Sequence, residues 1–120
     1  MLDLSHKKLD VYKISIELIK EVYKHTKNYP PEERFILVSQ LRRAAISVCS
    51  NLAEGCARNS KAEKKRFLEV SRSSLVEIDT QIEISLLIEY IQKDNIKELE
   101  NYLERTFMML SKMIQKLEIS

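Results

Sequence analysis

The chain has one glycine and two prolines in 120 residues, Gly55 and the adjacent pair Pro30-Pro31. A sheet protein of this length needs many turns, and turns recruit Gly and Pro. So small a supply leaves room for long helices with few connections. The expected class is all-α, and the length suits about one domain. A chain of this size buries roughly two thirds of its unfolded surface, enough for a real core.

Apolar spacing divides the chain into a polar lead-in, 1–8, and four helices within one domain, 9–120. The first helix is expected over about 9–28, with Ile14, Leu18, Ile19 and Val22 as its stripe. Pro30-Pro31 breaks it, and Pro31 followed by Glu32-Glu33 suits the first turn of a second helix over 31–57. Leu41, Ala45, Val48 and Leu52 share one side of that helix, and Gly55 continues it. Gly55 marks either the helix end or a close approach by a neighbouring backbone.

Ser60-Lys61-Ala62-Glu63 has the spacing of a capping box and opens a third helix over 60–91. Phe67, Ser71, Ser74, Ile78, Ile82 and Ser85 lie near one face, and the serines permit tight packing. Ile84, Leu87, Ile88 and Ile91 form a second apolar stripe, expected as a subunit interface. After Lys93-Asp94-Asn95, a fourth helix over 95–118 repeats Ile96, Leu99, Leu103, Thr106, Leu110, Met113 and Leu117 at coiled-coil-like spacing. Short links between amphipathic helices give an up-down-up-down antiparallel four-helix bundle.

Several functions are argued against. No segment is apolar for long enough to span a bilayer, and residues 1–13 lack the apolar run of a secretion signal. The expectation is a cytoplasmic protein with no membrane partner. Cys49 and Cys56 are seven residues apart, about 10 Å along a helix. A disulfide needs Cα atoms within about 7 Å, so both are read as reduced thiols. His6 and His25 have no cysteine or paired carboxylate at ligand spacing and are read as exposed. One glycine cannot make a phosphate-cradling loop, and no serine has a nucleophile's setting. The chain is therefore read as a non-enzyme, without cofactor or metal.

The net charge is only +2, so its distribution matters more than its total. From residue 58 to 72 six basic residues, Arg58, Lys61, Lys64, Lys65, Arg66 and Arg72, outweigh Glu63 and Glu69. From 73 to 92 there are four carboxylates and no basic residue. That order opposes the helix dipole, so local helix stability does not account for it. A solvated face is one reading; the other is a basic end that meets phosphates while the acidic half faces protein. Arg42 and Arg43 interrupt the apolar stretch of the second helix. An ion pair with Glu77 or Glu83 is favoured for them over phosphate contact, and Asn51 and Glu54 could share that network.

Ser39-Gln40-Leu41-Arg42-Arg43-Ala44-Ala45-Ile46-Ser47-Val48, followed by Ser50-Asn51-Leu52-Ala53-Glu54-Gly55, resembles a known family. It is that of the four-helix bundle proteins encoded in intervening sequences of bacterial 23S ribosomal RNA genes, related to the accessory variability proteins of diversity-generating retroelements. Leu9-Asp10-Val11-Tyr12, Pro31 before Glu33-Arg34-Phe35, Arg58, Phe67-Leu68 and Ser74-Leu75-Val76-Glu77 support it. The family's marker residues fall on Gln40, Arg42, Arg43, Asn51, Glu54, Gly55 and Arg58. Cys49 stands where many relatives have Pro, so no proline kink is expected there. Ser73 replaces a frequent Gly, and Cys56-Ala57 a common Tyr-Gly. The resemblance implies a homopentameric ring. In the retroelement branch it also implies binding of nucleic acid and of a reverse transcriptase. The reading from sequence is a self-associating bundle that binds RNA or DNA weakly, without sequence preference. The rival is a protein-interaction scaffold with no nucleic-acid role.

Overall fold

The structure is a computed structural model and describes residues 1–119. Four helices, α1 (Asp10–Thr26), α2 (Leu37–Ala57), α3 (Lys61–Leu87) and α4 (Lys97–Ile119), form an antiparallel bundle measuring 45 × 30 × 21 Å. Each helix packs on the next in sequence, and α4 closes on α1. Short 3-10 turns at Ser5–Lys8, Pro31–Glu33 and Lys93–Asn95 occupy the lead-in and two of the links. Among the described residues no helix is long and apolar enough to cross a membrane.

The core follows the apolar spacing. Leu18, Leu41, Leu52, Leu75, Ile78, Leu99 and Leu110 are fully enclosed. Truncating such a leucine to alanine costs about 2–5 kcal/mol. Thr106 sits in the α4 seam and satisfies its hydroxyl on the Tyr102 carbonyl at 2.6 Å. Near the end of α4 the buried position is Ile114, while Met113 and Leu117 are half-buried.

The α2–α3 pair is the most extensive contact in the bundle, and small residues make it so. Ser71 Oγ donates to the Val48 carbonyl at 2.6 Å and Ser74 Oγ to Ser47 Oγ at 2.9 Å. Asn51 Nδ2 donates to both the carbonyl and the hydroxyl of Ser47. Gly55 lies inside α2, not at a cap: a Cβ there would stand 3.2 Å from Phe67 Cβ and 3.3 Å from the Lys64 carbonyl. Close approach is the reading that holds. α2 also runs unbroken through Cys49.

Several helix limits differ from the spacing argument, and α1 ends two residues early, at Thr26. Pro31 opens only a single turn, and α2 begins six residues later at Leu37. The turn is pinned to the opposite loop, because Tyr90 Oη donates to Glu33 Oε2 at 2.8 Å and the Tyr29 and Tyr90 rings lie 5.3 Å apart. α3 ends at Leu87 in a Schellman motif, with Tyr90 N–H on the Ser85 carbonyl and Glu89 N–H on the Leu86 carbonyl. Glu89 takes the left-handed position, φ 64°, that glycine usually fills. This reversal turns Ile91 into the core, so it is not part of an exposed second stripe. α4 begins at Lys97, after the Lys93–Asn95 turn.

The histidines are not exposed. His6 is buried against the Tyr12 ring, 4.9 Å between centroids, and His25 lies beside Glu21 with Nε2 3.5 Å from the carboxylate. Cys49 is buried and Cys56 half-buried, both as free thiols.

Candidate nucleic-acid interface

Antiparallel packing collects at one end the start of α1, the end of α2, the start of α3 and the end of α4. Lys64 reaches the Cys56 carbonyl at 3.2 Å, Lys65 pairs with Glu118 at 3.2 Å, and Arg72 donates to Ser111 Oγ at 3.1 Å. Residues 1–13, 51–72 and 109–119, which build this half, carry eleven lysines and arginines against six carboxylates, a net +5. The remaining residues carry nine against twelve, a net −3. The bundle is thus a charge dipole along its length.

The six basic residues singled out in α3 and its approach all lie at this end, but they are not equivalent. Arg58 is held by Glu54 at 3.0 Å, and Lys65 by Glu118. Lys61 and Arg66 are exposed and have no ion pair among the described residues. The guanidinium carbons of Arg58 and Arg66 each lie 4.6 Å from the centre of the Phe67 ring, and that of Arg72 lies 5.8 Å from Phe107. A cation over an aromatic face is attracted by the ring quadrupole and keeps its own charge available. Lys112 and Lys116, outside the original set, belong to the same end. No spacing within α3 could reveal them, because they arrive from α4.

Between these helices is an open apolar pocket of about 680 Å³. Leu68, Met113, Leu117 and Gly55 line it, with Cys56 on one wall and Lys64 and Lys116 at its rim. Burial pushes the Cys56 thiol up from its ordinary range, and Lys64 nearby opposes part of that shift.

The marker residues of α2 divide. Arg42 does not reach Glu77 or Glu83: its Nε donates to Thr26 Oγ1 at 3.0 Å and its guanidinium stacks on Tyr23 at 4.4 Å. Arg42 therefore fastens α2 to α1. Arg43 is exposed beside a small cleft lined by Gln40, Ser47 and Glu77. Gln40 accepts from Gln81 at 3.2 Å. Asn51 is occupied by Ser47, and Glu54 by Arg58, so no shared network with the arginine pair forms.

Two further surfaces stand out. Glu33–Tyr90 and Gln40–Gln81 tie the start of α2 to the end of α3. Between those ties Phe35 and Ile36 are 84% and 59% exposed, and Ile84, Leu87 and Ile88 are 43%, 75% and 47% exposed. Phe35 and Ile36 were hidden from the sequence reading, which placed them inside a longer α2. On the α3–α4 side a groove of about 500 Å³ has Leu75, Val76, Leu103, Phe107 and Met108 as its floor and Asp79, Glu100 and Glu104 at its edges. Among the described residues no group of three His, Cys, Asp or Glu could hold a metal ion.

No curated protein matches the chain. A crystal structure of a protein of unknown function from the S23 ribosomal protein family of Bacteroides thetaiotaomicron superposes with a TM-score of 0.77 at 21% identity, covering 87% of this chain and 97% of that one. At that identity the likeness speaks for the bundle alone. The sequence goes further, since the family model described as 23S rRNA-intervening sequence protein spans residues 7–112, from the lead-in turn through most of α4. Bundle and sequence thus agree, and the chain belongs to the 23S rRNA-intervening sequence protein family.

Proposed function

We propose that this protein is a non-catalytic, self-associating bundle that binds RNA or DNA weakly through its basic end, without reading sequence. The observation that carries the reading is the convergence of four helix ends on one half of net charge +5. Lys61, Lys64, Arg66 and Lys116 meet phosphates directly, with Arg58, Lys65 and Arg72 behind them. Such contacts release counterions, so affinity falls steeply with salt. Repeating the basic end around a ring of five copies, the assembly implied by the family resemblance, would strengthen a modest patch by multivalency. The exposed cluster of Phe35, Ile36, Ile84, Leu87 and Ile88 is the surface proposed to join the copies. Titration of labelled RNA at low and moderate salt tests the reading. It fails if nothing binds at low salt, or if charge reversal at Lys64, Lys65 and Arg66 leaves binding unchanged.

The α3–α4 groove favours a second reading, a scaffold for a protein partner such as a reverse transcriptase. Its apolar floor and acidic edges suit an amphipathic helix with basic flanks. A protein partner retained from nuclease-treated lysate, with no affinity for RNA, would select it.

A further inference from the structure

We propose that the basic end holds single-stranded nucleic acid in preference to duplex, with an unstacked base seated in the apolar pocket between α2, α3 and α4. The inference rests on the nucleic-acid reading above and adds the strand class. A surface made only of lysines and arginines would attract any phosphate backbone equally. This one joins its charges to two features that a paired, stacked base cannot use. The first is the pocket of about 680 Å³, floored by Leu68, Met113 and Leu117 and open to solvent. Lys64 and Lys116 stand at its rim, so a chain with one base inside places its flanking phosphates against two ammonium groups. Lys64 spends one donor on the Cys56 carbonyl and keeps two for phosphate. The second is the neighbouring Arg58–Phe67–Arg66 group, whose guanidinium planes are surfaces on which a following base can stack. Proteins that hold single strands without sequence preference combine a basic track with such stacking surfaces. Duplex would have to unstack before it could use either feature. The polar side chains of the lining are the Lys64 and Lys116 ammonium groups and the Cys56 thiol, none of which pairs with two atoms of a base edge at once, which fits binding without sequence preference.

Cys56 on the pocket wall supplies a direct readout. Three short labelled oligonucleotides of equal length would be titrated by fluorescence anisotropy: a single strand, its duplex and an abasic strand. In parallel, maleimide alkylation of Cys56 in the wild-type protein would be followed by peptide mass spectrometry, with buried Cys49 as the internal reference. The expected result is a single strand bound about ten-fold tighter than either competitor. It should slow Cys56 alkylation, and the abasic strand should not. Leu117→Trp, which fills the slot and leaves the charges in place, should bring the single strand down to the affinity of the duplex. Equal binding of all three probes with Cys56 unprotected overturns the slot and leaves the basic-end reading standing. Failure of every probe to bind at low salt overturns both.

Discussion

A side-chain carbon on Gly55 would lie 3.2 Å from the Cβ of Phe67, closer than ordinary van der Waals contact. The only glycine in the chain is thus spent where α2 and α3 come together, not on a turn. Two effects oppose each other on substitution. Alanine gains about 1 kcal/mol of helix propensity over glycine. It also has to displace Phe67 and the Lys64 carbonyl, and the carbonyl belongs to a helix that cannot yield freely. Gly55→Ala should therefore stay within about 1 kcal/mol of wild type in urea unfolding, whereas Gly55→Leu should lose more than about 2 kcal/mol. A Leu variant as stable as wild type would show that the contact is slack.

Glu89 offers the opposite opportunity. It closes the Schellman motif at φ 64°. A residue with a Cβ pays roughly 1–2 kcal/mol for that conformation, and glycine does not. Glu89→Gly should raise stability by about 1 kcal/mol, read as a higher melting temperature. A lower melting temperature would mean that the Glu89 side chain does something the backbone argument misses.

These two positions show what sequence could and could not convey. The four helices, their seams and the Ser60 cap are written in local spacing, and Glu63 N–H does bind Ser60 Oγ at 3.1 Å. The early stop of α3 carries no local mark, because its turn residue is glutamate, not glycine. The delayed start of α2 depends on Glu33 meeting Tyr90, which lies 57 residues away. The same holds for the candidate site. Its α3 basic residues were visible as a charge run, but Lys112, Lys116 and the Met113 and Leu117 part of the pocket floor come from another helix. Arg42 was expected to pair with Glu77 or Glu83 on α3, yet its partners Thr26 and Tyr23 sit on α1.

Among the described residues the Tyr29 hydroxyl is buried without a hydrogen-bond partner in bonding geometry, and nearby Ser85 gives its own proton to the Gln81 carbonyl at 2.8 Å. Burial pushes the Tyr29 phenol above its ordinary value, and Ser85 offsets this only in part. In the unfolded chain tyrosine ionises near pH ~10. The fold therefore gains from neutral Tyr29 below that pH and loses the gain as the pH rises toward the folded value. Tyr29→Phe keeps the ring beside Tyr90 and removes the orphaned hydroxyl. It should be no less stable at neutral pH and should unfold at a higher alkaline pH, followed by circular dichroism. An earlier alkaline transition would show that the hydroxyl has a partner.

Pairing within the basic end predicts opposite signs for two kinds of substitution. Lys61→Glu and Arg66→Glu remove charges that have no ion pair among the described residues, so each should weaken RNA binding about ten-fold and flatten its salt dependence. Glu54→Gln and Glu118→Gln instead release Arg58 and Lys65 from their ion pairs. These two should tighten binding. Exposed ion pairs add little to folding, so stability should hardly change. Weaker binding in the glutamine variants would mean that the pairs position the cations instead of competing for them.

The apolar end cluster makes the last prediction. Phe35 and Leu87 are the most exposed of its members, at 84% and 75%. Neither supports the core of its own subunit, so a charge at either position should leave the bundle folded. In an assembly the same charge would be buried without a partner, at a cost of several kcal/mol per site. Light scattering at tens of micromolar should return a multiple of 14.1 kDa for the wild type, with five copies the expected number. Phe35→Lys and Leu87→Lys should return the single-chain mass with unchanged helical circular dichroism. Nucleic-acid affinity should then fall in the dissociated variants although no basic residue has been touched, because each molecule offers one basic end in place of five. A wild-type chain that is monomeric at this concentration removes the self-association proposal. Dissociation with unchanged affinity removes only the link between assembly and binding.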